Sequence, residues 1–419
     1  MLATAWLAGE ALHKLGQPAL VGQLLAGVLI GPSVFNLVQT TTDLSTVENV
    51  SLFFIMLLTG LAVNPSKLAA AGKRGAVVSS ISFVLPFIAG VVIAESFGIG
   101  VVGSLTAGLT VSITAVPVNS IILMELGLLD TDLGLTVIAA GVIDDITAFV
   151  ALSLIEQYAA NGRLTVDGSL EFDIGKIVLF LGAVLASEHL IRYKVGSVRR
   201  LTGAFESRLK TNGSFFALII VSAIGISLLA EWSGLQFAIG AFFAGLLLGE
   251  LAGPVKLAEA SSVVRGATYG FFGPLAFSFI GLEFALGSVK AMPLFVLTLL
   301  LAALASKFFG GWVGARLSGF CSSESSMIGH LMNSRGFVEL VIATTAYQLG
   351  LIDQSLFSIL VGVGIITTIL SPMATRRTMK SKATASPSGS RVLQAKLRCG
   401  GVRVELKVRI RTTLFSMRP

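Results

Sequence analysis

Gly141-Val142-Ile143-Asp144-Asp145-Ile146-Thr147-Ala148-Phe149-Val150 sets two adjacent carboxylates inside an otherwise apolar run. The nearest charges are Asp132 before the pair and Glu156 after it, leaving 11 uncharged residues on one side and 10 on the other. That matches one membrane-spanning helix of about 20 residues with the acids at its centre. An ionisable group at that depth costs roughly 2.5–3.5 kcal/mol on insertion scales, so an acid kept there reads as an ion or proton site. The competing reading is an Asp-Asp turn or cap between two short buried helices. The flanks hold no Pro, Asn or turn cluster to support it.

The composition around this stretch sets the class. Apolar residues make up 54% of the 419, charged residues only 13%, and there are 46 glycines. Repeated apolar runs of about 20 residues imply an all-α polytopic membrane protein. Cys321 and Cys399 are too few and too far apart for a disulfide framework or a cysteine-rich metal site, and His13, His189 and His330 form no ligand spacing. No nucleophile, phosphate loop or redox motif suggests an enzyme, and no cofactor is expected. No cleavable signal is read, because the first apolar run is short and leads straight into the second. The net charge of +7 is concentrated at one end, since 12 of the 30 Lys and Arg lie after residue 374. No nucleic-acid partner is expected.

The pattern gives 13 transmembrane spans, at about 2–15, 17–35, 46–63, 76–95, 102–124, 133–156, 175–193, 213–231, 234–249, 266–284, 291–315, 325–347 and 352–374. Loops after odd-numbered spans carry 13 Lys and Arg; loops after even-numbered spans carry 3, namely Arg163, Lys176 and Lys290. By the positive-inside rule the N-terminus faces out and the C-terminus faces the cytoplasm, which places the chain in the cell membrane with lipid as its partner. Residues 1–374 form the membrane domain. Residues 375–419, basic and containing Ser-Pro-Ser-Gly-Ser at 386–390, read as a disordered cytoplasmic tail attracted to anionic lipid.

An internal repeat is present. The 16 residues from Gly16 to Gly31 align without gaps on those from Gly234 to Gly249, with six identities at an offset of 218. The copies fall on spans 2 and 9. An odd number of spans apart, they run in opposite directions, which is the sign of an inverted-topology transporter. The same correspondence pairs span 5 with span 12, whose interiors are the most irregular. Span 5 contains Thr114, Pro117 and Asn119 and is expected to be interrupted at Pro117. Span 12 contains Asn333-Ser334-Arg335-Gly336 and then Glu339. Unwound backbone is tolerated at membrane depth only where protein or a cavity covers it. A plain proline kink in one and a cytoplasmic loop end in the other are the competing readings.

Neighbouring residues on a helix point about 100° apart, so Asp144 and Asp145 face different surroundings. Lys307 has 16 uncharged residues before it and eight after it, and at that depth it pairs with an acid or snorkels to the interface. Two carboxylates and one ammonium can trade a proton for a metal ion, because burial favours the neutral acid and a nearby cation favours the ionised one. Asp145, Thr114 and freed carbonyls offer the oxygens that a hard cation such as Na⁺ requires, and Asp144 can release Lys307 when the cation arrives. Arg335 and Glu339, spaced i,i+4, suit a salt bridge stabilising a broken helix. Glu283 sits near a helix end, and Gln23 reads as a packing residue.

Residues 1–374 resemble the sodium/proton antiporters of the cation:proton antiporter-2 superfamily. The matching pieces are Gln17-Pro18, Gly22, Ala26-Gly27 and Gly31-Pro32; the Thr114 stretch leading to Glu125-Leu126-Gly127; Val142-Ile143-Asp144-Asp145; Ser306-Lys307-Phe308-Phe309-Gly310-Gly311; and Asn333-Ser334-Arg335-Gly336 with Glu339-Leu340. The resemblance implies a homodimer. It implies a dimer domain of spans 1–3 and 8–10 and a core domain of spans 4–6 and 11–13, the core moving as an elevator. It makes Asp145 the carrier of cation or proton, Asp144 the partner of Lys307, and Thr114 an ion ligand together with the two acids. It also implies electrogenic exchange of Na⁺, K⁺ or Li⁺ for H⁺. Many bacterial members have Pro-Arg-Gly-Glu in span 12, whereas this chain has Ser334-Arg335-Gly336-Phe337, nearer to the plant and fungal branch; the choice between Na⁺ and K⁺ stays open. Two other readings of the residues are a sodium-coupled organic-anion symporter on a similar scaffold and a non-transporting membrane ion sensor.

Overall fold

The computed structural model describes residues 1–15, 17–39, 42–161, 168–193, 214–251, 254–283, 292–380, 392–399 and 402–409. The basic loop at 194–210 and Lys290 lie outside them. The helices are α1 (Leu2–Lys14), α2 (Ala19–Ile30), α3 (Thr42–Ala62), α4 (Pro65–Ser96), α5 (Val101–Ser112), α6 (Val116–Glu125), α7 (Asp132–Asn161) and α8 (Gly168–Tyr193). They continue with α9 (Ser214–Trp232), α10 (Phe237–Leu251), α11 (Pro254–Ala267), α12 (Gly273–Leu282), α13 (Pro293–Leu317), α14 (Ser322–Met332), α15 (Phe337–Gln348) and α16 (Gln354–Lys380). Five stretches are long and apolar enough to cross a membrane: Pro65–Ser96, Val101–Glu125 taken through its break, Asp132–Ala159, Pro293–Leu317 and Gln354–Met379. Four shorter apolar helices, Ala19–Ile30, Thr46–Ala62, Phe216–Trp232 and Phe237–Leu251, accompany them.

Several helices begin earlier than hydropathy suggests. Asn64 accepts from the Lys67 amide at 3.2 Å and Pro65 occupies the first turn, where its missing N–H removes no helix bond. Lys67, Lys73 and Arg74, read as a loop ahead of a span at 76–95, therefore lie on the first turns of α4. Lys256 and Arg265 likewise lie on α11, which runs through a π turn (Thr268–Phe272) into α12. At that turn Phe272 stacks on Phe54 with ring centroids 4.2 Å apart.

The interruption of span 5 falls directly ahead of Pro117. Helix α5 stops at Ser112, Ile113 and Ala115 are extended, and Pro117 stands in the first turn of α6. The proline opens the second half-helix, where it is harmless, instead of kinking the first. A second break, Asn333–Gly336, separates α14 from α15.

Helix α16 continues to Lys380, and β1 (Val392–Cys399) pairs antiparallel with β2 (Val402–Arg409), Val392 opposite Arg409 and Cys399 opposite Val402. Alternating Val402, Val404, Leu406 and Val408 supply a two-residue period that a basic composition alone conceals. Every other element among the described residues is helical.

Helix packing falls into two groups. Helix α4 lies along α13, α5 and α7, with α14 against α13. Helix α3 lies along α10, α2 along α12 and α1, and α9 along α10. Glycines set the closest approaches. A Cβ on Gly27 would stand 3.0 Å from Gly281 Cα, and one on Gly60 would stand 2.9 Å from Gly245 Cα. Between helices that share an apolar solvent, such contact is the main source of attraction. Gly245→Ala in α10 is expected to lower the thermal unfolding temperature in detergent, overpacking costing about 1–3 kcal/mol. Gly225→Ala in α9, where nothing lies within 4 Å of the added methyl, should leave that temperature unchanged or raise it.

Candidate ion site

The two broken helices meet at their breaks. Ala115 N–H donates to Ser334 O at 2.9 Å, and Ser334 Oγ lies 2.5 Å from Asn119 Oδ1 and 2.6 Å from Leu331 O. Each break thus supplies donors and acceptors that the other lacks, and Thr114, Asn119 and Ser334 are fully buried. Helix α7 presents Asp144 to this crossing, with Asp145 beside it in sequence, and α13 presents Lys307. None of the three is more than 1% exposed.

Asp144 is held by three donors. Its Oδ1 accepts from Ser79 Oγ on α4 at 2.6 Å. Its Oδ2 accepts from Thr114 Oγ1 at 2.7 Å and from Lys307 Nζ at 3.0 Å. Lys307 also donates to Ser112 O, a terminal carbonyl of α5. Arg335 Nη2 reaches Val111 O at 2.6 Å. Two cationic side chains therefore meet the C-terminal carbonyls of one half-helix, where four acceptors are left without helix partners and the dipole is negative.

Asp145 differs. Its Oδ1 is buried and has no hydrogen-bond partner among the described residues. A buried carboxylate oxygen without a donor is costly unless a proton or a cation occupies it. Sequence reasoning set Thr114 beside Asp145 as a shared ligand; the structure directs the threonine hydroxyl to Asp144, with Met332 O as its second acceptor at 3.2 Å. Arg335 and Glu339 are brought together as the i,i+4 spacing predicts, at 3.8 Å, too far for a hydrogen bond. Glu339 lies against Gly364 of α16, whose missing side chain makes room for the carboxylate. Thr368 holds Arg335 in place, accepting from its N–H at 3.1 Å and donating to its carbonyl at 2.6 Å. Pro117 is buried in the first turn of α6.

The residues missed by sequence reasoning are Ser79, Thr368 and the carbonyls of Val111 and Ser112. Serine in an apolar helix is too common a signal to single out. Ser79 and Ser82 do stand near mid-span in α4, and Thr367-Thr368 interrupts the apolar run of α16.

The sequence profile of a family described as sodium/hydrogen exchanger, transmembrane, matches residues 2–381. The chain belongs to the sodium/hydrogen exchanger family. Among its relatives is the Na⁺/H⁺-K⁺ antiporter GerN of Bacillus cereus, 29% identical over 383 residues, covering 91% of this chain and 95% of that one. Another is the Na⁺/H⁺ antiporter of Enterococcus hirae, 29% identical over 362 residues, covering 86% and 91%. A solved structure of the sodium proton antiporter MjNhaP1 from Methanocaldococcus jannaschii shares the fold, with a TM-score of 0.62 at 17% identity over 90% of this chain and 95% of that one. Family membership makes this exchanger a multi-pass membrane antiporter and agrees with reading a transporter rather than an enzyme.

The buried Asp144–Lys307 pair predicts a stability pattern. Asp144→Asn or Lys307→Met alone should cost about 3–5 kcal/mol, since each strands a buried charge. The double variant should lose less than either single one. Thermal unfolding of the purified protein in detergent measures all three.

Proposed function

We propose that this exchanger carries Na⁺ one way and H⁺ the other, with K⁺ and Li⁺ as further candidate cations, and that Asp145 binds cation and proton in turn. The observation that carries the reading is the contrast between neighbours. Asp144 has three donors, whereas Asp145 Oδ1 is buried with none among the described residues. Asp144 and Thr114 complete the oxygen set when the cation arrives, and Lys307 balances the charge on Asp144 meanwhile. Two negative charges and one ammonium at the site make exchange electrogenic on this reading. The name of GerN keeps K⁺ open.

The scaffold proposed is 13 spans in an inverted repeat, N-terminus out and C-terminus cytoplasmic. Repeated element starts support it: Ala19, Val116 and Asp132 recur at Phe237, Phe337 and Gln354, at offsets of 218, 221 and 222. The close contacts recur as well, Gly22 against Gly9 and Gly240 against Ser227, each pair displaced by 218. Gly27 meets Gly281 as Gly245 meets Gly60, which is the exchange of partners that a two-fold relation between halves requires. The packing group of α1–α3 and α9–α12 is assigned as the dimer domain of a homodimer. The group of α4–α7 and α13–α16 is assigned as the core that travels as an elevator.

In everted membrane vesicles, Na⁺ should relieve quenching of a pH-sensitive dye, and Asp145→Asn should abolish the response at unchanged protein level. Normal exchange by that variant overturns the site assignment. Proton and cation compete for one carboxylate. The apparent KM for Na⁺ should therefore rise about tenfold for each pH unit lowered through the acidic part of the working range, by linkage. An apparent KM independent of pH contradicts shared binding. Repeating the assay with K⁺ and Li⁺, with the membrane potential clamped and then free, reads the ion preference and electrogenicity.

A further inference from the structure

Helix α16 lies along the second break and bonds to both of its ends. Ser371 Oγ donates at 2.6 Å to His330 O, in the last turn of α14. Thr368 Oγ1 accepts from Arg335 N–H, inside the break, at 3.1 Å. Gly364, one turn before Thr368, leaves the space that the Glu339 carboxylate of α15 fills. Positions 364, 368 and 371 fall on one face of a helix. That face meets the segment before the break, the break itself and the segment after it, as a splint does.

Thr368 is the centre of this splint. An unbroken helix would give Arg335 N–H the carbonyl of Leu331, one turn earlier. That carbonyl is taken by Ser334, whose N–H lies 3.0 Å away and whose Oγ lies 2.6 Å away. The amide turns to Thr368 Oγ1 instead. The threonine's own proton has two acceptors, Arg335 O at 2.6 Å and Gly364 O at 2.8 Å. Whichever takes it, the oxygen still accepts from Arg335 N–H. Thr367, equally buried, donates to Gly364 O within its own helix at 2.9 Å. Bonding of that kind satisfies a hydroxyl locally.

The splint stands in a telling register. Gly141-Val142-Ile143-Asp144-Asp145-Ile146 of α7 aligns without gaps on Gly364-Ile365-Ile366-Thr367-Thr368-Ile369 of α16, with three identities at an offset of 223. The starts of the two helices, Asp132 and Gln354, lie at an offset of 222. Two hydroxyls thus occupy the place where the other half carries its two acids. The contact recurs with them. Asp144 accepts from Thr114 in the first break, and Thr368 accepts from Arg335 in the second, at offsets of 224 and 221. Through Arg335 the splint reaches the ion site. Arg335 Nη2 donates at 2.6 Å to Val111 O, in the last turn of the half-helix that ends beside Thr114. Fixing the Arg335 backbone therefore fixes where its guanidinium meets α5.

We propose that Thr368 is a positioning residue of the ion site. It splints the second break in the register where the other half holds its acids, and through Arg335 it keeps the end of α5 aligned for the cation. This rests on the exchange reading given above and adds to it a residue that touches neither cation nor proton. The hydroxyl sets how tightly the cation is held, not how fast the loaded protein turns over.

The test uses purified full-length protein in proteoliposomes, with Na⁺-driven proton flux measured against Na⁺ concentration at a single pH for wild type, Thr368→Val, Thr368→Ser, Thr367→Val and Asp145→Asn. Thr368→Val keeps the shape and removes the hydroxyl. It should raise the apparent KM for Na⁺ about fivefold, the worth of one hydrogen bond, with the maximal rate little changed. Thr368→Ser restores the hydroxyl and should return the wild-type KM. Thr367→Val removes a hydroxyl that bonds within α16 and should overlay wild type. A Thr368→Val protein with a lower maximal rate and an unchanged KM has lost stability alone, and that result overturns the proposal. So does a Thr368→Ser protein that behaves as Thr368→Val does. If Thr368→Val does not fold, Ser371→Ala, which leaves His330 O with Asn333 N–H at 3.2 Å, should raise the KM by about twofold, and an unchanged KM there overturns the splint. Normal exchange by Asp145→Asn sinks the exchange reading instead, whatever Thr368 does.

Discussion

The desolvation of Asp144 and Lys307 is the constraint on which the architecture depends. Neither side chain is exposed at all. Their 3.0 Å contact does not offset the loss of water from two ions unless further hydrogen bonds complete both. The chain supplies them from four helices: Ser79 from α4, Ser112 O from the end of α5, Thr114 from the break, and the two ions from α7 and α13. An unbroken α5–α6 helix would have spent the Ser112 carbonyl on its own backbone. The break is therefore a structural requirement of the buried pair as much as a route for an ion.

The second break follows from the first. Opening a helix inside an apolar medium frees donors and acceptors that lipid cannot satisfy. Here Ala115 N–H meets Ser334 O and Ser334 Oγ meets Asn119, so each broken segment repairs the other. Arg335 then caps Val111 O, and Glu339 and Thr368 restrain Arg335 from the flanking helices. A chain with one such break would lack the partners that the facing break supplies, although Asn119 Nδ2, Asn333 Oδ1 and Arg335 Nη1 have no hydrogen-bond partner among the described residues.

Much of this is legible in the sequence. Acids and a lysine stand out in apolar runs because membrane depth makes them costly, and the breaks announce themselves through clustered Ser, Thr, Asn and Gly. Contact pairs were harder. The i,i+4 relation of Arg335 and Glu339 is written in one helix and could be read, but the partner of Thr114 depends on where two chain segments cross, which no local spacing encodes. Ser79 was invisible for the same reason: its hydroxyl differs from those of Thr106 or Thr110 only in what lies opposite. The span 5 break falls at the Thr114 stretch just ahead of Pro117, whose fixed φ and missing N–H suit the start of α6. Helix starts at Pro65 and Pro254 were missed because hydropathy reports burial in lipid and is silent about a helix that continues into the interface.

The adjacency of Asp144 and Asp145 is itself informative. Acids spaced i,i+4 would share one helix face, one set of donors and one fate. Consecutive positions, about 100° apart, cannot. The sequence thus guarantees that satisfying one acid with Ser79, Thr114 and Lys307 leaves the other facing a different surface, and the buried, unpartnered Oδ1 of Asp145 is the outcome. An ion site made this way needs no dedicated cage. It needs one carboxylate held by protein donors, a second denied them by helix geometry, and carbonyls freed nearby by a break that the first carboxylate's partner already demands.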